Sequence, residues 1–214
     1  MKLYGYFRSS AAFRVRIALN LKNLDYESAF IHLRRGDQRQ PGFLDVNPQG
    51  LVPALETDDA LFIQSLPIIE YLDETYPSPP LLPRDAKGRA RVRALAAIVA
   101  CDVHPINNLR VLRYLLRPLG HDEAAVETWY NHWIAEGFGA LERLLAGDGR
   151  TGRFCHGDTP GLADIVLVPQ VFNAHRYQSL DLTPYPTIVR IYETCLNIDA
   201  FAAAHPDRQP DREP

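Results

Sequence analysis

A proline-rich stretch, Tyr76-Pro77-Ser78-Pro79-Pro80-Leu81-Leu82-Pro83, separates two regions of the chain whose hydrophobic periods differ. Proline at this density continues neither a helix nor a central strand, so the stretch reads as an extended linker. Ahead of it, strand and helix patterns alternate. Leu3, Gly5 and Phe7 alternate with Tyr4 and Tyr6, a period of two that predicts a strand. From Ala11 to Leu24 the apolar positions Phe13, Ile17, Ala18 and Leu21 share one helical face, with Arg14, Arg16 and Asn20 off it. Tyr26 to Leu33 predicts a second strand. Gly36 to Pro48, broken by Pro41 and Gly42, predicts a loop with at most one helical turn. Val52 to Glu56 and Ala60 to Ile63 flank Thr57-Asp58-Asp59 as a hairpin. A helix then opens at Ser65, carries Ile68, Ile69 and Leu72, and stops before Pro77. The order βαβ then ββα predicts a small thioredoxin-like domain around a mixed sheet.

Past the linker no segment reads as a strand. Asp85 to about Leu116, Asp122 to Leu145, Leu162 to Ala174 and Pro186 to Leu196 all fit helices, with a last short one near Ala200, so the second region is expected to be all-helical. The expected organisation is an α/β domain over residues 1–80, a linker over 81–87 and an all-α domain over 88–214. The charged tail from Pro206 to Pro214 is expected to be loosely held.

Bulk properties exclude more than they indicate. A chain of 214 residues, 46% of them hydrophobic, can build a core in each region. A net charge of −3 gives no reason to expect nucleic acid or an anionic membrane as partner. The apolar run from Ala94 to Cys101 is far shorter than the ~20 residues that span a bilayer. Met1-Lys2 leads directly into a strand pattern, without a secretory leader. Cys101, Cys155 and Cys195 are odd in number and widely spaced, so they read as free thiols in a reducing cytoplasm, and the seven histidines show no ligand spacing.

The chemistry lies at the ends of the first region's elements. Ser9 and Ser10 stand at a strand-to-helix turn. A hydroxyl there is first of all an N-cap, yet the same helix end favours an anion and would lower the pKa of a thiol placed beside it. The turn carries no cysteine, so that sulfur would have to come from a ligand. Val52-Pro53 puts a proline inside a strand pattern. That is either an edge-strand proline or a cis peptide that leaves Val52 free to pair with an incoming peptide. Ser65, after Gln64, caps a helix whose N-terminus could also take a carboxylate.

Taken together, Tyr6-Phe7-Arg8-Ser9-Ser10-Ala11-Ala12-Phe13-Arg14-Val15-Arg16, Asn47-Pro48, Val52-Pro53 and Gln64-Ser65 resemble the glutathione-binding half of zeta-class glutathione transferases, the maleylacetoacetate and maleylpyruvate isomerases. The resemblance continues through Asp102-Val103-His104-Pro105-Ile106-Asn107-Asn108-Leu109, Leu167-Val168-Pro169-Gln170-Val171 and Asp181-Leu182-Thr183-Pro184-Tyr185-Pro186. It implies a glutathione transferase fold, glutathione as cofactor, a homodimer and a small dicarboxylate substrate. It also implies glutathione contacts at Ser9, Ser10, Gln38, Val52, Gln64 and Ser65, and from the helical region at His104, Asn108 and Arg110. The chemistry implied is addition of the glutathione thiolate to a cis olefin, rotation, and expulsion of the thiolate. Arg8, Arg110 and Arg176 match arginines that hold a dianionic substrate, for which a planar guanidinium fork is suited. Each of them alone also fits a solvated surface position.

Three departures stand out. Ala11 occupies the position where zeta enzymes usually have cysteine, so no protein thiol takes part at the turn. His104 replaces the common glutamine, which is similar to bacterial maleylpyruvate isomerases; it is read as a hydrogen-bond partner of the cofactor rather than a general base. Gly161 replaces the Ser or Thr of a capping box. A general transferase acting on electrophiles and a non-catalytic glutathione-binding module remain alternatives to the isomerase.

Overall fold

The computed structural model describes residues 1–175 and 180–213. The chain divides into two compact units, Met1–Leu81 together with Leu196–Pro214, and Leu82–Cys195. The C-terminal residues therefore belong with the first unit, not with the helices that precede them as the sequence pattern suggests.

In the first unit, β1 (Lys2–Gly5), β2 (Glu27–Phe30), β3 (Ala54–Glu56) and β4 (Leu61–Ile63) form one sheet in the order β2-β1-β3-β4. β1 runs parallel to β2, with Leu3 opposite Ser28, and antiparallel to β3, with Leu3 opposite Leu55. β3 and β4 make the expected hairpin. The parallel pair needs a crossover, which α1 (Ser10–Leu21) supplies. α2 (Pro41–Leu44) starts at Pro41, a residue whose fixed φ suits the first helical position, so the proline read as a breaker here initiates a turn. α3 (Ser65–Thr75) buries Ile68, Ile69 and Leu72, as the spacing predicts.

α1 departs from its expected pattern. Arg14 and Arg16 lie off the apolar stripe but are only 2% and 4% exposed. Each side of the helix is covered, since α3 and a C-terminal helix, α9 (Asp199–Ala204), both pack on it. Burial of two guanidinium groups is tolerable only with hydrogen bonds. Arg16 donates from Nε to Ala204 O (3.0 Å), from Nη2 to Phe7 O (3.0 Å) and from Nη1 to Tyr6 O (3.4 Å). Burial lowers its pKa to about 10, against the opposing influence of Tyr26 and Asp211. Asn20 donates to Ala200 O, and buried Lys22 donates to Asp73 and to the carbonyls of Tyr76 and Pro79, fixing the start of the linker.

The tail is held as well. Phe7 N–H donates to Asp211 Oδ2 (2.9 Å), and Glu213 Oε1 accepts from His32 Nε2 (2.7 Å) and Arg35 Nη2 (3.0 Å). This replaces the expectation of a loose C-terminus.

The second unit, as described, is helical. α4 (Ala86–Ala97), α5 (Leu109–Leu116), α6 (Glu123–Ala146), α7 (Leu162–Ala174) and α8 (Pro186–Leu196) match the expected segments, except that Asp85 to Leu116 is not one helix. After α4 the backbone widens into a π-helical stretch, Ile98–Val103, and then turns before Asn108 caps α5. Gly137 on α6 makes room for this stretch: a Cβ there would collide with Val103. Glu142 of α6 accepts the N–H groups of Thr187 and Ile188 and so caps α8 (3.0 Å each). The glycine at the start of α7 keeps half of a capping box, with Gly161 N–H donating to the Asp164 carboxylate (2.9 Å), which also accepts from Cys155 N–H. No helix among the described residues is long and apolar enough to cross a membrane.

Replacing Arg16 by methionine keeps the stem's packing but removes all three donors. The Tyr6 carbonyl keeps its bond from Ser9 N–H, but the Phe7 and Ala204 carbonyls lose the arginine at about 1–3 kcal/mol each, so the urea midpoint should fall by an amount equivalent to roughly 3 kcal/mol. A midpoint within error of the parent would refute this role.

Candidate functional site

The first unit gathers chain ends that offer unpaired hydrogen-bonding groups. Ser9 precedes α1 with extended backbone and caps it, its Oγ accepting the Ala12 N–H at 3.2 Å. The cap uses a lone pair and leaves the hydroxyl proton available to an acceptor. Ser10, the first helical residue, is buried, while Arg8 is exposed. The turn itself is closed by Ser9 N–H donating to Tyr6 O (2.9 Å).

Below it, Tyr6, Phe7, Phe43 and Val52 form an apolar cluster, with Tyr4, Ile31, Leu33 and Val46 packed against it. Burial raises the pKa of the Tyr6 hydroxyl, which has no hydrogen-bond partner among the described residues. Val52 is joined to Pro53 by a cis peptide bond, and β3 begins only at Ala54. No hydrogen bond to the Val52 N–H or C=O occurs among the described residues. A backbone unit left unpaired beside a sheet is what an added extended peptide needs.

The approach to Val52 is set by Asn47, which is buried and spans the turn, donating from Nδ2 to Leu51 O (2.7 Å) and accepting Gln49 N–H at Oδ1 (3.1 Å). Gly50 has φ of 61° and its Cα lies against the Gln38 backbone, where a Cβ would come within 2.8 Å of the carbonyl oxygen. Gln38 sits in a short 3-10 turn, Asp37–Arg39. Its Nε2 reaches Leu33 O at 3.4 Å, while its Oε1 is buried without a partner among the described residues.

α3 provides the next element. Ser65 and Leu66 have N–H groups with no intrahelical acceptor, Pro67 has none to offer, and the Ile68 N–H is taken by Gln64 O. Gln64 itself has φ 70° and ψ 126°, a conformation costly for a residue with a Cβ, and its side chain donates to Gln49 Oε1 (2.7 Å). Arg14 reaches from α1 to donate to Ser65 Oγ (3.2 Å). This buried arginine was not singled out by the sequence; its signal is a guanidinium one helical turn beyond Ser10, on a helix otherwise apolar around its start.

The second unit holds His104, Asn108 and Arg110 in one short stretch. Asn108 caps α5 by accepting the Arg110 N–H (3.1 Å) and its Nδ2 lies 3.4 Å from His104 Nε2. Arg110 is exposed. The stretch is pinned to α6, with Trp129 Nε1 donating to Ile106 O (3.1 Å) and Asn107 Nδ2 to Tyr130 O (3.0 Å). Arg176 lies outside the described residues.

The first unit thus presents helix-end N–H groups, a peptide unit and a buried amide oxygen, the last two without hydrogen-bond partners among the described residues. Groups of this kind suit an extended, carboxylate-bearing peptide. Residues 3–80 match the family described as "Glutathione S-transferase, N-terminal domain" and residues 123–194 the corresponding "C-terminal domain". The chain is 54% identical over 211 residues to "Maleylpyruvate isomerase" of Ralstonia sp, covering 99% of both, and 50% identical over 214 residues to "Maleylacetoacetate isomerase" of Pseudomonas aeruginosa, covering 99% of this chain and 98% of the relative. It superposes with a TM-score of 0.96, at 44% identity and full coverage of both chains, on the maleylacetoacetate isomerase of Methylobacterium extorquens AM1 with bound malonate and GSH. The chain belongs to the glutathione S-transferase family, in its zeta-class branch of maleylpyruvate and maleylacetoacetate isomerases.

The strained Gln64 offers a direct check. Gln64→Gly removes a penalty of about 1–3 kcal/mol against a backbone-entropy loss of about 0.5–1 kcal/mol. Its denaturation midpoint should stay level or rise, whereas Gln64→Val should lower it; a clear drop for the glycine variant would contradict the strain.

Proposed function

We propose that this chain is a glutathione-dependent cis–trans isomerase of a maleyl keto acid, with maleylpyruvate favoured over maleylacetoacetate. The observation that carries the proposal is the set of unpaired groups in the first unit, each of a kind a γ-glutamyl tripeptide would satisfy. The Val52 peptide unit would pair with the cofactor's backbone. The α3 N-terminus, with Gln64 and Ser65, would take its glutamyl carboxylate, and Gln38 Oε1 would accept one of its N–H groups. His104, Asn108 and Arg110 are the contacts proposed from the helical unit. When bound, glutathione supplies a thiolate nucleophile that adds reversibly to the olefin and is returned unchanged.

The chain's own contribution is placement and electrostatics. The Ser9 hydroxyl, with its proton not used by the cap, would donate to the sulfur and hold it as the anion, helped by the positive end of α1. Ser10, buried at the first helical position, would support the same turn. Arg8, Arg110 and Arg176 would hold the two substrate carboxylates apart and offset charge developing on the ketone oxygen. A cytoplasmic homodimer is the assembly that goes with this reading.

A spectrophotometric assay with both maleyl acids, with and without glutathione, tests the reading directly. Trans product should form only with glutathione present, and the glutathione concentration should not fall. Stoichiometric consumption would point to conjugation instead. Ser9→Ala should lower kcat/KM by about 100-fold, the size of effect expected for loss of one donor to a developing or stabilised anion, with a stability loss of only ~1 kcal/mol from the cap. Arg8→Ala should raise KM for the substrate without changing glutathione affinity.

A further inference from the structure

The C-terminal segment makes contacts more specific than packing requires. Beyond α9, the chain runs back so that its two last described carboxylates each meet a different loop of the first unit. Asp211 Oδ2 accepts the Phe7 N–H at 2.9 Å. Glu213 Oε1 accepts from His32 Nε2 at 2.7 Å and Arg35 Nη2 at 3.0 Å. His32 Nδ1 accepts the Arg35 N–H (3.1 Å), so Nε2 carries the proton that Glu213 receives. These two loops hold expected glutathione contacts: Ser9 follows Phe7 by two residues, and Gln38 follows His32 within one compact turn. That turn is closed by His32 N–H donating to Asp37 Oδ2 (3.0 Å).

The peptide groups around Phe7 are the critical point. The Phe7 carbonyl is held by Arg16 Nη2, and the Tyr6 carbonyl by Arg16 Nη1 and Ser9 N–H. Asp211 supplies the partner of the Phe7 N–H. With it, the peptide planes on both sides of Phe7 are fixed, and the direction in which Ser9 leaves the turn is fixed with them. The Phe7 ring belongs to the same cluster as Val52, so freedom at Phe7 would also reach the peptide clamp. The Asp211 carboxylate is close enough to support the charge of buried Arg16, which links the two anchors of the loop electrostatically.

We infer that residues 205–213 are a strap whose carboxylates, Asp211 and Glu213, are positioning residues for glutathione, one fixing the Phe7–Ser10 turn and the other the His32–Gln38 turn. Neither touches the reacting atoms; each acts through a loop that does. The inference rests on the glutathione reading above, and its test separates the two.

Three readouts on the full-length chain decide it. Amide hydrogen exchange without glutathione should show Asp211→Ala losing protection at Phe7–Ser10, and Glu213→Ala at His32–Gln38. Calorimetric titration with glutathione should show Kd raised about fivefold to tenfold in Asp211→Ala, the worth of one hydrogen bond, and restored in Asp211→Asn, which keeps the acceptor. Absorbance of the bound thiolate as a function of pH should show the thiol pKa raised in Asp211→Ala and returned by Asp211→Asn. A chain ending at Gln209 removes both carboxylates, leaves the Arg16–Ala204 anchor, and should combine the two effects. If wild-type protein binds glutathione while Asp211→Ala matches it in affinity, thiol pKa and exchange, the strap is refuted and the functional reading stands. If wild-type protein binds no glutathione, the functional reading falls and takes the strap with it.

Discussion

A guanidinium group buried beneath a turn is the point on which the first unit depends. Arg16 brings a positive charge into a space that excludes water, and three backbone carbonyls compensate it, two from the turn before α1 and one from the end of α9. Its planar fork suits the task because each donor has a fixed direction, whereas an ammonium would leave the carbonyl geometry open. The result joins three separate stretches of sequence: the loop leaving β1, the helix that follows, and a segment nearly two hundred residues further on. The serine turn is therefore not an isolated loop but one side of a hydrogen-bonded junction.

Arg14 has a related role near the start of the same helix. It donates to Ser65 and so ties α1 to the beginning of α3, the two helices whose N-termini carry the serines. Periodicity places both arginines on a solvent-facing side. That placement follows whenever a helix is assumed to have one covered face. Here α3 and α9 cover what the sheet does not, and α9 comes from the far end of the chain, so no local window could show it. The alternation of strands and helices, the hairpin, and the ends of α6 and α7 were legible because each depends on nearby residues, and the start of α8 because Pro186 marks it locally, although the cap itself comes from Glu142 on α6. The interruption between α4 and α5 was not, since the π-helical stretch depends on Val103 finding space at Gly137 some thirty residues later.

The candidate site divides along the same line. Ser9 and Ser65 were readable as helix-start residues, and Val52 as the residue before a strand proline. Gln38 entered only through family resemblance, because a polar residue in a Gly- and Pro-containing loop has no local signature; its buried, unpaired amide oxygen becomes visible only in three dimensions. The positive φ of Gln64 was equally hidden. Together these make the candidate peptide clamp of the first unit chiefly one of backbone groups and neutral side chains. Such groups need no titration to be ready, and their strength comes from being held still in a poorly solvated place.

Ala11 has a consequence for the durability of such a site. With alanine beside the serine turn, the reacting sulfur belongs to a molecule that comes and goes. Cys155 and Cys195 are buried, with desolvation pushing their thiol pKa values up, which keeps them protonated and slow toward oxidants. Although Cys101 is exposed, it lies outside the serine turn, so oxidation or alkylation at the working sulfur spoils one tripeptide, which diffuses away and is replaced, while the turn itself is unchanged for the next turnover.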